Sequence, residues 1–141
     1  MNRRTGWSLT LPLVGLVCYW TLCFLLTHIP MSGALKSQIW HMPHQDKVVH
    51  LILYAGLAWL LVWVLEEWTH RPNFARFGGF VIAVAYGGVD EWLQSFIPSR
   101  SMDGFDWLAD TLGAAVGVTG YVIAGALFAT RARLARTVPT V

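Results

Sequence analysis

Charge is scarce in this chain. Only 13% of its 141 residues are Asp, Glu, Lys or Arg, against about 25% in a typical soluble domain. That shortage argues against a free-standing soluble fold. The net formal charge is +2, and there is no run of Lys or Arg, which excludes a phosphate-tracking surface for nucleic acid. Cysteine is equally sparse, at two residues. Cys18 and Cys23 lie in an apolar run, five positions and roughly 140° apart on a helix, so they do not pair readily with each other. They read as apolar packing residues. No H-E-x-x-H element is present. No Ser-His-Asp spacing singles out Ser99 or Ser101 as a nucleophile, although both flank Arg100. There is no internal repeat, low-complexity tract or linker, and 141 residues leave room for one domain only.

What the chain has in quantity is apolar surface. Hydrophobic residues make up 55% of it, and its mean hydropathy is +0.50. A hydrocarbon core of roughly 30 Å needs about 20 apolar residues of helix. Four segments meet that need, at about residues 9–29, 48–68, 78–97 and 107–129. Pro12 is expected in the first turn of the first segment, where a missing N–H costs little. Pro98 is expected to end the third. The rival reading of the first segment is a cleavable signal peptide. Arg3 and Arg4 would form its n-region and Ser32-Gly33-Ala34 its cleavage site, but the apolar run is too long for a usual h-region. The expectation is therefore an all-α, four-helix transmembrane bundle.

Orientation follows from the Lys and Arg distribution. Arg3, Arg4, Arg71, Arg76, Arg131, Arg133 and Arg136 fall on one side, and only Lys36, Lys47 and Arg100 on the other. This predicts cytoplasmic N- and C-termini in a multi-pass protein of the cytoplasmic membrane. Trp7 and Trp68 would mark the inner interface, Trp40 and Trp107 the outer one, with Trp20, Trp59 and Trp63 deeper as packing or lipid-facing residues. Gly113, Gly117 and Gly120, with Ala114, Ala124 and Gly125, are suited to close helix packing in the fourth segment. Gly87 and Gly88 can do the same in the third.

In this frame the polar residues gather on one side, the extracytoplasmic one. Asp46, Lys47, His50 and Tyr54 open the second segment. Asp90, Glu91 and Gln94 lie near the end of the third. Arg100, Asp103 and Asp106 occupy the third loop, and Asp110 lies one turn into the fourth segment. Steps of four between Asp46, His50 and Tyr54, and between Asp106 and Asp110, align each set on one helix face. Such groups are costly to insert, at about 2.5–3.5 kcal/mol each, and so face a bundle interior or a watery cavity. Six carboxylates against two cations leave four uncompensated negative charges, which protons, water or a bound cation must relieve. Arg100 is expected to fold back onto Asp90 or Glu91 as a bidentate pair. Asp103 or Asp106 can cap the fourth helix and Asp46 the second.

The elements Asp46-Lys47-x-x-His50-x-x-x-Tyr54, Asp90-Glu91-x-x-Gln94 and Arg100-x-x-Asp103-x-x-Asp106-x-x-x-Asp110-x-x-Gly113 resemble the VanZ-like family over about residues 40–120. The resemblance implies a small integral membrane protein of the cell envelope. The family's namesake is linked to low-level resistance to the glycopeptide teicoplanin. One departure is Asp110, where the family often has Asn, which puts in doubt a family role carried over to that position.

Three functional readings follow. The first is a non-catalytic site for a lipid headgroup, a lipid-linked wall precursor or a glycopeptide. Lys47 and Arg100 would hold a phosphate or carboxylate, and the carboxylates amines or hydroxyls. The second is a metal-assisted enzyme, for which His50, Glu91, Asp103, Asp106 and Asp110 are ligand types suited to zinc or manganese. His50, Glu91 and Asp106 would be its acid–base candidates. The third is a proton- or cation-coupled transporter, for which four short spans leave little room. His41 and His44, with His28 near the same side, read as a solvated loop feature. No cofactor beyond a divalent metal is suggested, the partners expected are membrane lipids, and no reaction is assigned.

Overall fold

The structure, a computed structural model, describes residues 7–29, 45–98 and 100–137. The roles expected for Arg3, Arg4, Ser32, Gly33, Ala34, Lys36, Trp40, His41, His44 and Ser99, and for the side chains of Trp7 and Arg136, fall outside the described parts.

Long apolar runs with few internal breakers have only one way to satisfy their backbone away from water, which is helix. Among the described residues four helices form: α1 (Trp7–His28), α2 (Gln45–Thr69), α3 (Pro72–Gln94) and α4 (Gly104–Thr137). Three stretches, Leu9–His28, Gln45–Thr69 and Gly104–Ala135, are long and apolar enough to cross a membrane. Of the four spans expected, α3 is not among these three. It is long enough, but Arg76, Asp90, Glu91 and Gln94 together with its glycines dilute its apolar character.

Several boundaries also move. Pro12 does not sit in a first turn. It lies inside α1, with its ring fully buried, so one intrahelical hydrogen bond is forgone there. Helix α3 begins at Pro72, a residue well suited to the first helical position. It ends at Gln94, four residues before Pro98. Its last turn is closed by short-range bonds, from Ser95 N to Trp92 O at 3.2 Å and Phe96 N to Leu93 O at 3.1 Å, with Ser95 Oγ donating to Trp92 O at 2.6 Å. Helix α4 runs on through Arg131 and Arg133. At 34 residues it is about 50 Å long.

The connection between α2 and α3 is the shortest in the bundle. His70 adopts a left-handed backbone, with φ 56°, and its N–H closes onto Glu66 O at 2.9 Å. A non-glycine residue in that region carries strain, and the reward is an immediate reversal. Helices α2 and α3 are therefore antiparallel neighbours.

Glycine sets the spacing between α2 and α4. A Cβ at Gly113 would strike the Leu51 carbonyl, and one at Gly117 the Ala55 carbonyl. These pairings run in the same direction along both helices, so α2 and α4 are parallel and in backbone contact. Gly79 meets Val62 in the same manner and draws α3 against α2. Helix α1 packs on α2, with Gly15 near Leu60 and Tyr19 over Gly56. Helices α2 and α3 each touch the other three, α2 more extensively, whereas α1 and α4 do not approach each other closely among the described residues.

Burial is inverted relative to a soluble protein. Leu11, Phe77, Phe105 and Phe128 are each about 70% exposed, while His50, Asp90, Glu91, Gln94, Asp106 and Asp110 are buried. Exposed apolar surface on this scale is suited to lipid.

Candidate functional site

The antiparallel order brings the start of α2, the end of α3, the start of α4 and the end of α1 to one end of the bundle. Every polar position anticipated from the sequence lies there. The side chains form an outer tier around Lys47 and an inner tier around His50.

The outer tier is an ion cluster. Lys47 Nζ lies 2.8 Å from Asp103 Oδ2 and 2.8 Å from Asp106 Oδ1, with Asp46 Oδ2 at 3.7 Å. Asp103 has a second task. Its Oδ1 accepts the Phe105 N–H at 2.8 Å, and its carbonyl accepts Asp106 N at 3.0 Å, so it is the N-cap of α4. Asp106 lies in the first turn, where the helix dipole favours an anion. The Lys47 ammonium, and then the Phe105 N–H, hold the Asp103 carboxyl below its usual range. Asp46 falls inside the first turn of α2 rather than at its cap.

The inner tier is buried. His50 Nδ1 lies 2.9 Å from Asp110 Oδ1 and 4.0 Å from Glu91 Oε1. Asp110 is reached nearly two turns into α4, not one. Glu91 Oε2 accepts the Asp103 N–H at 2.9 Å, which ties the two tiers together. Asp110 Oδ2 has no partner among the described residues and lies against Gly87, where a Cβ would sit 3.0 Å from it. Gly87 therefore makes room for a carboxylate rather than for another backbone. Tyr54 is fully buried one turn below His50, and its hydroxyl has no partner.

Asp90 anchors the side of the site that faces α1. Its Oδ1 lies 3.1 Å from Thr27 Oγ1 and 3.5 Å from His28 Nδ1, and its Oδ2 accepts Gln94 Nε2 at 2.9 Å. Arg100 then departs from expectation. It makes no ion pair with Asp90 or Glu91 among the described residues. Instead, its Nη1 donates to Gln94 Oε1 at 3.2 Å and its Nη2 to the Ile29 carbonyl at 3.4 Å. Gln94 bridges Arg100 and Asp90 because its amide offers both a donor and an acceptor. The α1 contribution is what sequence reasoning missed, since His28 reads from sequence as part of a solvated loop feature and instead ends α1 beside Asp90. Thr27 and His28 are polar residues closing an otherwise apolar span, and that was the available signal.

The donor set permits cation binding. One ligand atom each from His50, Glu91 and Asp110 lie within 4.8 Å of one another. Zinc bonds to N and O run at about 2.0–2.2 Å in tetrahedral array, which sets donors about 3.3–3.6 Å apart, so the widest of these separations closes by about 1 Å on binding. These three buried side chains can hold a divalent metal. Asp103 and Asp106, also considered as ligands, are instead engaged by Lys47.

A helical membrane-type bundle with a buried acidic centre at one end is the class of protein that fold and site define. The VanZ/LLP1 family matches residues 13–125, most of the chain and more of it than the motifs alone covered; the chain belongs to that family. No curated protein and no solved structure matches it significantly.

Proposed function

We propose that this chain is a VanZ-like cell-envelope membrane protein whose acidic centre, charged with a divalent cation, binds a phosphate-bearing lipid headgroup or wall-precursor-like ligand from the extracytoplasmic side. The observation that carries this reading is the buried set of His50, Glu91 and Asp110 with Asp110 Oδ2 unpartnered. A carboxylate oxygen shut away from water without a donor is costly, and a cation relieves it. Binding replaces the proton shared by His50 and Asp110, so affinity rises with pH.

Arg100 supports the ligand half of the proposal. Its guanidinium is half-buried at the rim and, among the described residues, bonded only to neutral oxygens, which leaves its charge available to an anion. Lys47 no longer serves that role, since three carboxylates surround it. The side of the membrane rests on the Lys and Arg distribution, with α3 crossing as a fourth span between α2 and α4. A link to teicoplanin resistance rests on the family alone.

Metal analysis of the purified protein after dialysis against zinc or manganese tests the centre. The expected result is about one ion per chain, lost in His50→Ala and in Glu91→Gln. Folded protein without residue-dependent metal refutes the cation. Arg100→Gln should keep the metal and lose lipid phosphate binding.

A further inference from the structure

At the opposite end of the bundle, α4 parts from α2. A Cβ at Gly120 would still meet the Trp59 ring at 3.3 Å, but one at Gly125 would meet nothing within 4 Å. None of residues 121–135 is buried. The divergence opens a groove of about 620 Å³, within the range of small-molecule sites.

The groove has two chemical ends. Trp59, Trp63 and Glu66 follow one stripe of α2 and line it, facing Tyr121 and Gly125 on α4. Tyr121 stacks edge-on against Trp59, with centroids 5.5 Å apart. That part is aromatic. Glu66 and Arg76 form the other part, and Glu66 Oε2 and Arg76 Nε both lack a hydrogen-bond partner among the described residues. Glu66 lies one turn from the end of α2, level with the exposed Trp68, which suits a membrane interface. Trp59 lies about 10 Å deeper.

A carboxylate and a guanidinium that line one groove near headgroup depth, with aromatic rings deeper in it, suit a headgroup that carries both charges. We infer that this groove holds a zwitterionic aminophospholipid, with its ammonium on Glu66, its phosphate on Arg76 and one acyl chain lying between Trp63, Trp59 and Gly125. The occupied leaflet is the one opposite the acidic centre. The argument is independent of the metal and ligand proposed there.

The charge pair makes the proposal selective. An anionic phospholipid satisfies Arg76 but sets no cation against Glu66. Full-length, delipidated protein in a mild detergent is titrated with phosphatidylethanolamine or phosphatidylglycerol, and bound lipid is counted by native mass spectrometry. Phosphatidylethanolamine should bind at least about tenfold more tightly, the scale of one charge-assisted hydrogen bond. Glu66→Gln, which preserves shape, should abolish that preference. Gly125→Trp projects into open space, so the fold is retained, and it should weaken both lipids by filling the slot. Equal binding of the two lipids, or binding indifferent to Gly125→Trp, overturns the proposal. So does a dimer that Gly125→Trp dissociates, since the groove would then belong to a second copy of the chain.

Discussion

Replacing Gly117 by Ala tests how the acidic centre is held in place. The added Cβ would strike the Ala55 carbonyl oxygen and lie 2.9 Å from its carbon and 3.0 Å from the Ala55 Cα. Carbon atoms settle at about 3.5–4.0 Å. Backbone cannot rotate aside as a side chain does, so α2 and α4 must separate by about 0.5–1 Å. Overpacking of this kind costs about 1–3 kcal/mol. Alanine also favours helix over glycine by about 1 kcal/mol, which would mask part of the loss. Gly125→Ala supplies the control, because that position meets nothing within 4 Å. Both variants carry the same propensity gain, so the difference between them isolates the clash at about 1–3 kcal/mol. The assay is reversible unfolding in mixed detergent micelles, read by circular dichroism. The separation also reaches the site. His50 and Asp110 sit on the same two helices at 2.9 Å, and a further 0.5–1 Å, roughly, takes that contact beyond hydrogen-bond range. Metal binding should therefore fall in Gly117→Ala and persist in Gly125→Ala. Equal stability of the two variants would refute backbone contact as the determinant of the α2–α4 distance.

Two further outcomes are expected. Tyr54→Phe removes a buried hydroxyl that has no partner, so stability should be unchanged or rise by up to about 1 kcal/mol; a loss of that size in thermal unfolding would show that the hydroxyl is bonded. Asp103 titrates below the usual carboxylate range in the folded protein, so its contribution is fully present above about pH 4. It is lost as pH falls through the lowered value. Asp103→Asn should flatten that acid limb of the stability profile, and an unchanged limb in the variant would remove Asp103 as its source.

Much of the site was legible because membrane insertion makes buried charge conspicuous. Asp90, Glu91 and Asp110 stand out in apolar context, and their helical spacing assigns them to facing stripes. The N-cap role of Asp103 was legible for a similar local reason. The partners were not. Lys47 and Arg100 looked equivalent in sequence, two cations among acids, yet one is enclosed by carboxylates and the other bonds to Gln94 and a carbonyl. That choice depends on where α3 ends, and α3 ends at Gln94 through local hydrogen bonding rather than at Pro98. Thr27 and His28 escaped because their role exists only once α1 lies beside Asp90.

Sequence alone is enough to read these segments as helical, to expect four of them as spans, of which three prove long and apolar enough, and to put the polar residues at one end. Each of these follows from composition and periodicity along a single segment. The tertiary structure decided which acids meet His50, that Gly113 and Gly117 set α2 against α4, and that α4 then departs to leave a groove at Gly125. Those outcomes depend on distances between helices. Interhelical distance is fixed by which small residue happens to face which backbone, information that no single segment carries.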